Sequence, residues 1–254
     1  GFKAGVNTDN TSTLLKGIMK ATNDEERNAA NAAMPVYGRA YIKTAEGYFF
    51  GETVKRSLQE QVEAIDGIWA GVAAMVKNDG SVTNEEAFWV EFSHIYGENV
   101  RNHIPVFEEF YANEFQKAKS VCGFSPESKE IVEKIKKAGY NVVLATNPIF
   151  PAIATQSRIR WAGLEPEDFL HYTTYENSSF CKPNPKYYEE ILSKLGLDPK
   201  ECLMVGNDVT EDGAAKALGM DVFFLTDCLI NKEEKDISGE PHGSFADLEK
   251  FILG

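Results

Sequence analysis

The sequence of residues 202–226 is CLMVGNDVTEDGAAKALGMDVFFLT, and this stretch decides the fold. Its apolar run at 203–205 predicts a short buried strand, and residues 214–218 predict a helix that Gly219 closes. A second apolar run at 222–225 predicts another strand. A strand, turn, helix and strand in this order imply a parallel sheet.

Three polar side chains lie in the turn between the first of these strands and the helix: Asn207, Asp208 and Asp212. The carboxyl ends of strands in open α/β sheets are where ligands bind. Aspartate oxygens suit a hard cation such as magnesium, which keeps some waters and meets substrate phosphates. The turn alone leaves a second interpretation open, in which Asp208 shapes the turn and Asp212 is an ordinary charge at a helix N-terminus.

Composition narrows the class of protein. The chain has 254 residues, 43% hydrophobic and 26% charged, which predicts a globular protein of one large domain or a core with an insert. No apolar run approaches the roughly 20 residues that a membrane span needs. The net charge of -13 argues against nucleic acid or an anionic membrane surface as a partner, because both require basic patches. A small anionic ligand remains compatible with this charge.

The spacing of the cysteines indicates the redox state of the cellular compartment. None of the cysteines forms a CxxC pair, and no signal-like segment opens the sequence, so we expect a reduced, cytoplasmic setting. The four cysteines are Cys122, Cys181, Cys202 and Cys228.

Helix and strand patterns alternate between residues 126 and 226, which predicts a doubly wound, Rossmann-like α/β domain with a parallel sheet. A polar loop at 227–243 follows, and Ser244 is expected to cap a last helix at 245–253. The remaining predicted helices are 128–138, 152–162 and 186–195, and the remaining predicted strands are 2–6, 141–146 and 169–174.

The part of the chain before residue 125 has helical patterns, at 62–76, 85–96 and 104–119. Aromatic residues recur there at three- and four-residue steps, which is typical of a helix-bundle core rather than a ligand cage. We therefore predict an α/β core domain of residues 1–15 and 125–254 with an inserted helical cap domain of residues 16–124 over the ligand edge of the sheet. The aromatic residues are Phe88, Trp89, Phe92, Tyr96, Phe107, Phe110, Tyr111 and Phe115.

Polar residues at the predicted strand ends carry a resemblance to a known family. In chain order they are Asp9, Thr146 with Asn147, Lys182 in a KPNP loop, and Asp208 with Asp212 in a VGNDVTED turn. Their types and order resemble the motifs of the haloacid dehalogenase-like hydrolase superfamily. The resemblance covers roughly residues 126–226, and the helical insert is similar to the type 1 cap of that superfamily.

The resemblance implies phosphoryl transfer through an aspartyl-phosphate, with Mg²⁺ as cofactor and a small phosphorylated substrate. A first-strand aspartate would attack phosphorus. Lys182 and the Thr146 hydroxyl would hold the nucleophile and the phosphoryl oxygens, and Asp212 would support the metal site. The site residues so implied are Asp9, Thr11, Thr146, Asn147 and Lys182 for catalysis, and Asp9, Thr11, Asp208 and Asp212 for the metal.

The first motif departs from the family pattern, Asp-x-Asp-x-Thr, and two registers are open. In the first register Asp9 is the nucleophile and Thr11 replaces the acid/base carboxyl, as in ATPases of the superfamily. In the second register Asp9 is the acid/base and Asn7 replaces the nucleophile. An amide cannot form an aspartyl-phosphate, so a protein in the second register would bind without turnover.

Three functional hypotheses follow from the resemblance. The leading one is a magnesium-dependent phosphatase of a small phosphorylated metabolite. The second is a binding protein on the same fold that has lost its nucleophile. The third is a haloacid dehalogenase, but dehalogenation needs no metal, so the carboxylates of Asp208 and Asp212 speak against it.

Overall fold

The computed structural model describes residues 58–123 and 125–254, with side chains from residue 66 onward. The chain divides into two compact units: residues 73–87 with 125–254, and, among the described residues, 58–72 with 88–123. Residues 73–87, assigned to the helical domain from the sequence, thus group with the α/β unit. The predicted first strand, Asp9 and Thr11 lie outside the described residues, so the domain division as a whole stays a prediction.

Residues 58–76 and 84–121 are mainly helical, and a loop of residues 77–83 separates them. The α-helices are α1 (Leu58–Val76), α2 (Asn84–Tyr96) and α3 (Ile104–Ala112), and 3₁₀ helices run over Glu98–His103 and Glu114–Val121. The single predicted helix at 104–119 was wrong, because the α-helix ends at Ala112. The backbone N–H of Asn113 makes the last helical bond, to the Glu109 carbonyl, and its side-chain amide donates to the same oxygen. Such side-chain bonds to the backbone compete with helix continuation.

The predicted aromatic core of the helical part is confirmed, except that Tyr96 at the end of α2 is 38% exposed. Phe88, Trp89 and Phe92 on α2 are all buried. Their rings meet edge-on or stacked, at centroid distances of 5.3 Å for Phe88 with Trp89 and 5.4 Å for Phe88 with Phe92. Phe107 on α3 adds a T-shaped contact with Trp89 at 5.0 Å. The aromatic repeat therefore packs the second unit internally.

The first unit contains two parallel sheets, which confirms the predicted α/β class. β1 pairs with β2, and β4 lies between β3 and β5. The two-residue strand β5 lies within the segment 227–243, whose polar composition predicted a loop throughout; a pair of residues that includes a glycine is too short to show periodicity. The strands are β1 (Val143–Leu144), β2 (His171–Tyr172), β3 (Leu203–Gly206), β4 (Asp221–Leu225) and β5 (His242–Gly243).

β4 shows why the sheet is covered on both faces. Val222 and Phe224 pack into one buried cluster, which includes Tyr187 and Tyr188, whereas Phe223 and Leu225 pack into another with Ile131 and Leu248. Successive side chains of a strand point to opposite faces. A continuous apolar strand is thus buried by helices on each side, as expected for a parallel sheet.

Helices α4 (Pro126–Lys137), α5 (Ala152–Trp161), α6 (Pro185–Leu195) and α7 (Phe245–Leu253) lie within two residues of the predicted bounds. Ser244 and Asp247 form a capping box at the start of α7. The predicted helix at 214–218 is a 3₁₀ helix, Gly213–Leu218, since only six residues separate Asp212 from the left-handed Gly219. Among the described residues, no helix combines the length and the apolar character needed to cross a membrane.

Candidate functional site

The turn after β3 folds back over its own strand end. Asp212 is buried, and its Oδ2 accepts hydrogen bonds from the backbone N–H groups of Asn207 and Asp208, each at 2.9 Å. Gly206 lies directly beneath this carboxylate, and a Cβ atom built there would come within 2.1 Å of Asp212 Oδ2. Glycine at position 206 therefore lets the carboxylate reach the two N–H groups.

Lys182 and Asp212 form a buried ion pair. Lys182 Nζ donates to Asp212 Oδ1 at 2.6 Å, and the two side chains are 5% and 6% exposed. The rings of Tyr187 and Tyr188 each have their centroid 5.7 Å from Nζ, which places the ammonium beside two aromatic faces. Both oxygens of Asp212 are thus engaged, an arrangement that fits a supporting residue better than a direct metal ligand.

Asp208 is held in the turn by one of its two carboxylate oxygens. Its Oδ1 accepts from the backbone N–H groups of Thr210 at 2.9 Å and Glu211 at 2.8 Å, which fixes the side chain in the turn. In the described part of the chain, no donor bonds to Oδ2. A carboxylate held in this way by one oxygen can offer the other to a cation or a ligand.

Asn147 joins the end of β1 to both other loops. Its Oδ1 accepts the Lys182 backbone N–H at 3.3 Å, and its Nδ2 donates to Glu211 Oε1 at 3.2 Å. Burial, followed by the negative charge of Asp208, raises the pKa of Glu211, while the charge of Lys182 opposes the shift. Sequence reasoning did not select Glu211, although its position between the two aspartates was the available signal.

Thr146 is held through its backbone. Its carbonyl accepts hydrogen bonds from Thr173 Oγ1 at 2.6 Å and Tyr187 Oη at 2.8 Å, and those two hydroxyls lie 3.0 Å apart. Burial raises the pKa of Tyr187, so its hydroxyl stays protonated and able to donate. The Thr146 hydroxyl bonds to no described residue. No sequence pattern had indicated Thr173 or Tyr187.

Four of the predicted site residues are brought together by direct hydrogen bonds: Asn147, Lys182, Asp208 and Asp212. Thr146 adjoins them as the residue before Asn147. Asp9 and Thr11 lie outside the described residues, so their roles stay predictions.

The carboxylate oxygens near Asp208 could supply some, but not all, of the ligands of a divalent cation. Nowhere in 58–123 or 125–254 are three His, Cys, Asp or Glu side chains grouped so that they could hold a metal ion by themselves. Among the described residues, the carboxyl groups of Asp208 and Asp212 both lie close enough to Glu211 to act on its charge, as does the ammonium of Lys182, and no donor bonds to Asp208 Oδ2. Hard oxygen donors with excess negative charge suit Mg²⁺, provided that further ligands come from the segment that contains Asp9 and Thr11.

Comparison with known proteins gives one family match. The family model described as haloacid dehalogenase-like hydrolase matches residues 8–219. A 90-residue stretch is 29% identical to the pyrophosphatase PpaX of Bacillus velezensis, and it spans 35% of this chain and only 40% of the length of that relative.

Similar solved structures include a predicted phosphoglycolate phosphatase from Haemophilus somnus, with 20% identity over 98% of this chain and 91% of that chain and a TM-score of 0.49. They also include the L-2-haloacid dehalogenase of Xanthobacter autotrophicus with chloropropionic acid covalently bound. Its identity is 16% over 89% of this chain and 91% of that chain, with a TM-score of 0.49.

Proposed function

The chain belongs to the haloacid dehalogenase-like hydrolase family, whose model matches residues 8–219, and on this premise we propose that it is a magnesium-dependent phosphatase of a small phosphorylated metabolite. The observation that carries the proposal is the buried bond between Lys182 and Asp212, in the same turn as Asp208, whose Oδ2 accepts from no described residue. A fixed ammonium next to a cation-binding carboxylate is an arrangement that binds and polarises a phosphoryl group.

Each side chain has a distinct part in the proposed reaction. Asp9 attacks phosphorus, so that an O–P bond forms to its carboxylate while the bond to the leaving oxygen breaks, and the leaving oxygen takes a proton from solvent. Water then attacks the phosphoryl group, and the bond to Asp9 breaks to give inorganic phosphate and the free carboxylate. Lys182 holds negative oxygens at the strand ends, because its Nζ is fixed by Asp212. The Thr146 hydroxyl donates to a phosphoryl oxygen, since its backbone is already anchored by Tyr187.

Residues of two segments would hold Mg²⁺: Asp9 and the backbone carbonyl of Thr11 from the first motif, and Asp208 from the turn after β3. When bound, the ion neutralises charge on the phosphoryl group and orients it towards the nucleophile. Asp212 keeps the turn in place through the N–H groups of Asn207 and Asp208.

The test is release of inorganic phosphate from an aryl phosphate and a panel of small sugar phosphates, with magnesium or with EDTA. An aryl phosphate is included because its phenolate is a good leaving group that needs little protonation. Thr11, in the acid/base position, has no carboxyl group that could donate a proton. We expect magnesium-dependent turnover in the wild type and its loss in Asp9→Asn and Asp208→Asn. Folded wild type with no turnover above the Asp9→Asn background on any substrate would overturn the proposal.

The second register of the first motif favours one other function, a phosphate- or magnesium-binding protein without turnover. Its distinguishing observation is Asn7, two residues before Asp9, where that register places the nucleophile. An Asn7→Asp variant that gains turnover from an inactive wild type would support it. Unchanged inactivity in Asn7→Asp, or activity in the wild type, would exclude it.

A further inference from the structure

Asn84, at the start of α2, is fully buried although it does not cap the helix. Its side chain has 0% exposure. The helix is capped instead by Thr83, whose Oγ1 accepts from the Glu86 backbone N–H at 3.2 Å. A buried amide side chain is costly unless its donors and acceptor are all used, so its partners show its role.

The partners of the Asn84 amide lie far away in sequence. Nδ2 donates to the Pro148 carbonyl at 3.1 Å and to Cys181 Sγ at 3.5 Å, and Oδ1 accepts from Asn78 Nδ2 at 3.0 Å. The Asn84 backbone N–H donates to the Ser178 carbonyl at 2.8 Å. Every polar atom of the side chain is therefore satisfied within one compact unit.

Two of these partners adjoin the proposed catalytic groups. Pro148 is two residues after Thr146, and Cys181 immediately precedes Lys182. The Asn84 amide thus joins the loop that follows β1 to the loop that carries Lys182. Asn147 joins the same two loops by a direct bond to the Lys182 backbone.

The Cys181 thiol strengthens this connection. It is buried, it accepts from Asn84, and its Sγ donates to the Met75 carbonyl at 3.5 Å. Burial, followed by the charge of Glu211, raises its pKa to about 12, so the thiol stays protonated and able to donate. The residue before Lys182 is consequently held from two sides by residues of the segment 73–87.

We propose that Asn84 is a positioning residue, which sets the placement of Lys182 and Thr146 by tying their two loops together. The expected effect on kcat rests on the proposed phosphatase function, whereas the expected movement of Lys182 does not. Without the amide, the Pro148 carbonyl and the Cys181 sulfur lose their common donor, and the two loops can shift relative to each other.

The test compares Asn84→Leu, which keeps a similar volume but cannot donate, with Thr83→Ala as the matched control. Thr83→Ala weakens the same helix start but touches neither Pro148 nor Cys181. The first readout is the ¹H–¹⁵N spectrum of the lysine ammonium groups, in which the buried Lys182 signal is identified by its absence in Lys182→Arg. The second readout is kcat and KM for magnesium-dependent hydrolysis of an aryl phosphate.

We expect the Lys182 ammonium signal to shift or broaden in Asn84→Leu and to match the wild type in Thr83→Ala. We expect kcat to fall at least tenfold in Asn84→Leu with KM changed less than threefold, and to stay within twofold in Thr83→Ala. If Asn84→Leu does not fold, Asn84→Ala takes its place, because it leaves space for water instead of apolar bulk.

The outcomes separate the two proposals. A wild type without turnover would contradict the phosphatase proposal, and the ammonium signal would then decide the role of Asn84 alone. An unchanged Lys182 signal in folded Asn84→Leu or Asn84→Ala would overturn the positioning role, whether or not the wild type is active. Equal loss of kcat in Asn84→Leu and Thr83→Ala would also overturn it, because helix stability would then explain both.

Discussion

A Cβ atom on Gly206 would lie 2.1 Å from Asp212 Oδ2, so the strand end and the carboxylate fit together only because residue 206 has no side chain. We predict that Gly206→Ala displaces the Asp212 carboxylate and weakens its bonds to two backbone N–H groups. Such overpacking costs about 1–3 kcal/mol of unfolding free energy. Urea unfolding measures this loss, and phosphate release should fall with it.

Gly239→Ala is the control for Gly206→Ala, because a Cβ atom at position 239 meets nothing within 4 Å. We expect its unfolding free energy and turnover to stay close to the wild type. Equal stability of Gly206→Ala and Gly239→Ala would show that the Asp212 carboxylate can move without cost.

A second prediction concerns the charge left behind when the buried ion pair is broken. Lys182→Met leaves the buried Asp212 carboxylate without its cation, and we expect a loss of about 3–5 kcal/mol in unfolding free energy. Adding Asp212→Asn removes that charge while an amide oxygen still accepts from the Asn207 and Asp208 N–H groups. The double variant should therefore be more stable than Lys182→Met alone, with turnover lost in both.

The exposed pair of Lys134 and Glu249 provides the matched comparison for the buried one. Its Nζ–Oε2 distance is 2.7 Å, but the side chains are 48% and 41% exposed. Surface pairs of this kind contribute about 0–1 kcal/mol, so Lys134→Met should change stability little. If Asp212→Asn adds its own cost to Lys182→Met instead of offsetting it, the two side chains are not energetically coupled.

The fold was predictable wherever the chain repeats a local pattern. The apolar runs around Gly206 and Gly219 gave β3 and β4, and the register Met204 with Val222 confirms their parallel pairing. The place of Lys182 beside this turn was implied by the resemblance to the hydrolase family rather than by the strand pattern, and its bond to Asp212 agrees with that implication. The break at Asn113 was missed, because it depends on a side-chain bond that competes with an otherwise helical pattern.

The rest of the site was not predictable, because it depends on contacts between distant residues. Asn84 donates to the Pro148 carbonyl across 64 positions of sequence, and its neighbourhood in the sequence is that of an ordinary helix start. Tyr187 and Thr173 lie in segments whose patterns indicate only a helix and a strand. Asn84, Tyr187 and Thr173 act as fixed hydrogen-bond donors because they are buried next to the loop after β1, and residue type alone does not reveal this.

A third prediction concerns the two hydroxyls that hold the Thr146 carbonyl. Tyr187→Phe removes one donor and leaves Thr173 as the other, so each single removal, Tyr187→Phe or Thr173→Val, should cost about 1 kcal/mol of unfolding free energy. The double variant leaves the carbonyl without either side-chain donor, and we expect it to cost more than the sum of the single changes. A double-variant cycle by urea unfolding checks this.

Tyr140→Phe serves as the control for Tyr187→Phe, because Tyr140 is 54% exposed. Loss of its hydroxyl should leave stability within about 0.5 kcal/mol of the wild type. Strictly additive losses in the Tyr187 and Thr173 cycle would mean that the two hydroxyls act on Thr146 independently.

The last prediction is a pH dependence of stability at β2. Burial, followed by the positive charge of Lys194, lowers the pKa of His171, while Glu190 opposes the shift. Its Nε2 is buried and has no hydrogen-bond partner among the described residues, so an N–H group there would find no acceptor among them. The folded state therefore favours neutral His171 more than the unfolded state does.

The sign of the effect follows from proton binding. The unfolded chain takes up a proton at His171 near its ordinary pKa of about 6.5, whereas the folded chain takes it up only at lower pH. This contribution to stability is complete above about pH 6.5 and is lost as pH falls towards the folded pKa. Urea unfolding between about pH 7.5 and 5.5 should show a smaller loss in His171→Gln than in the wild type, since glutamine does not titrate. Parallel pH profiles for the two proteins would mean that the imidazole can be protonated in the folded protein without cost.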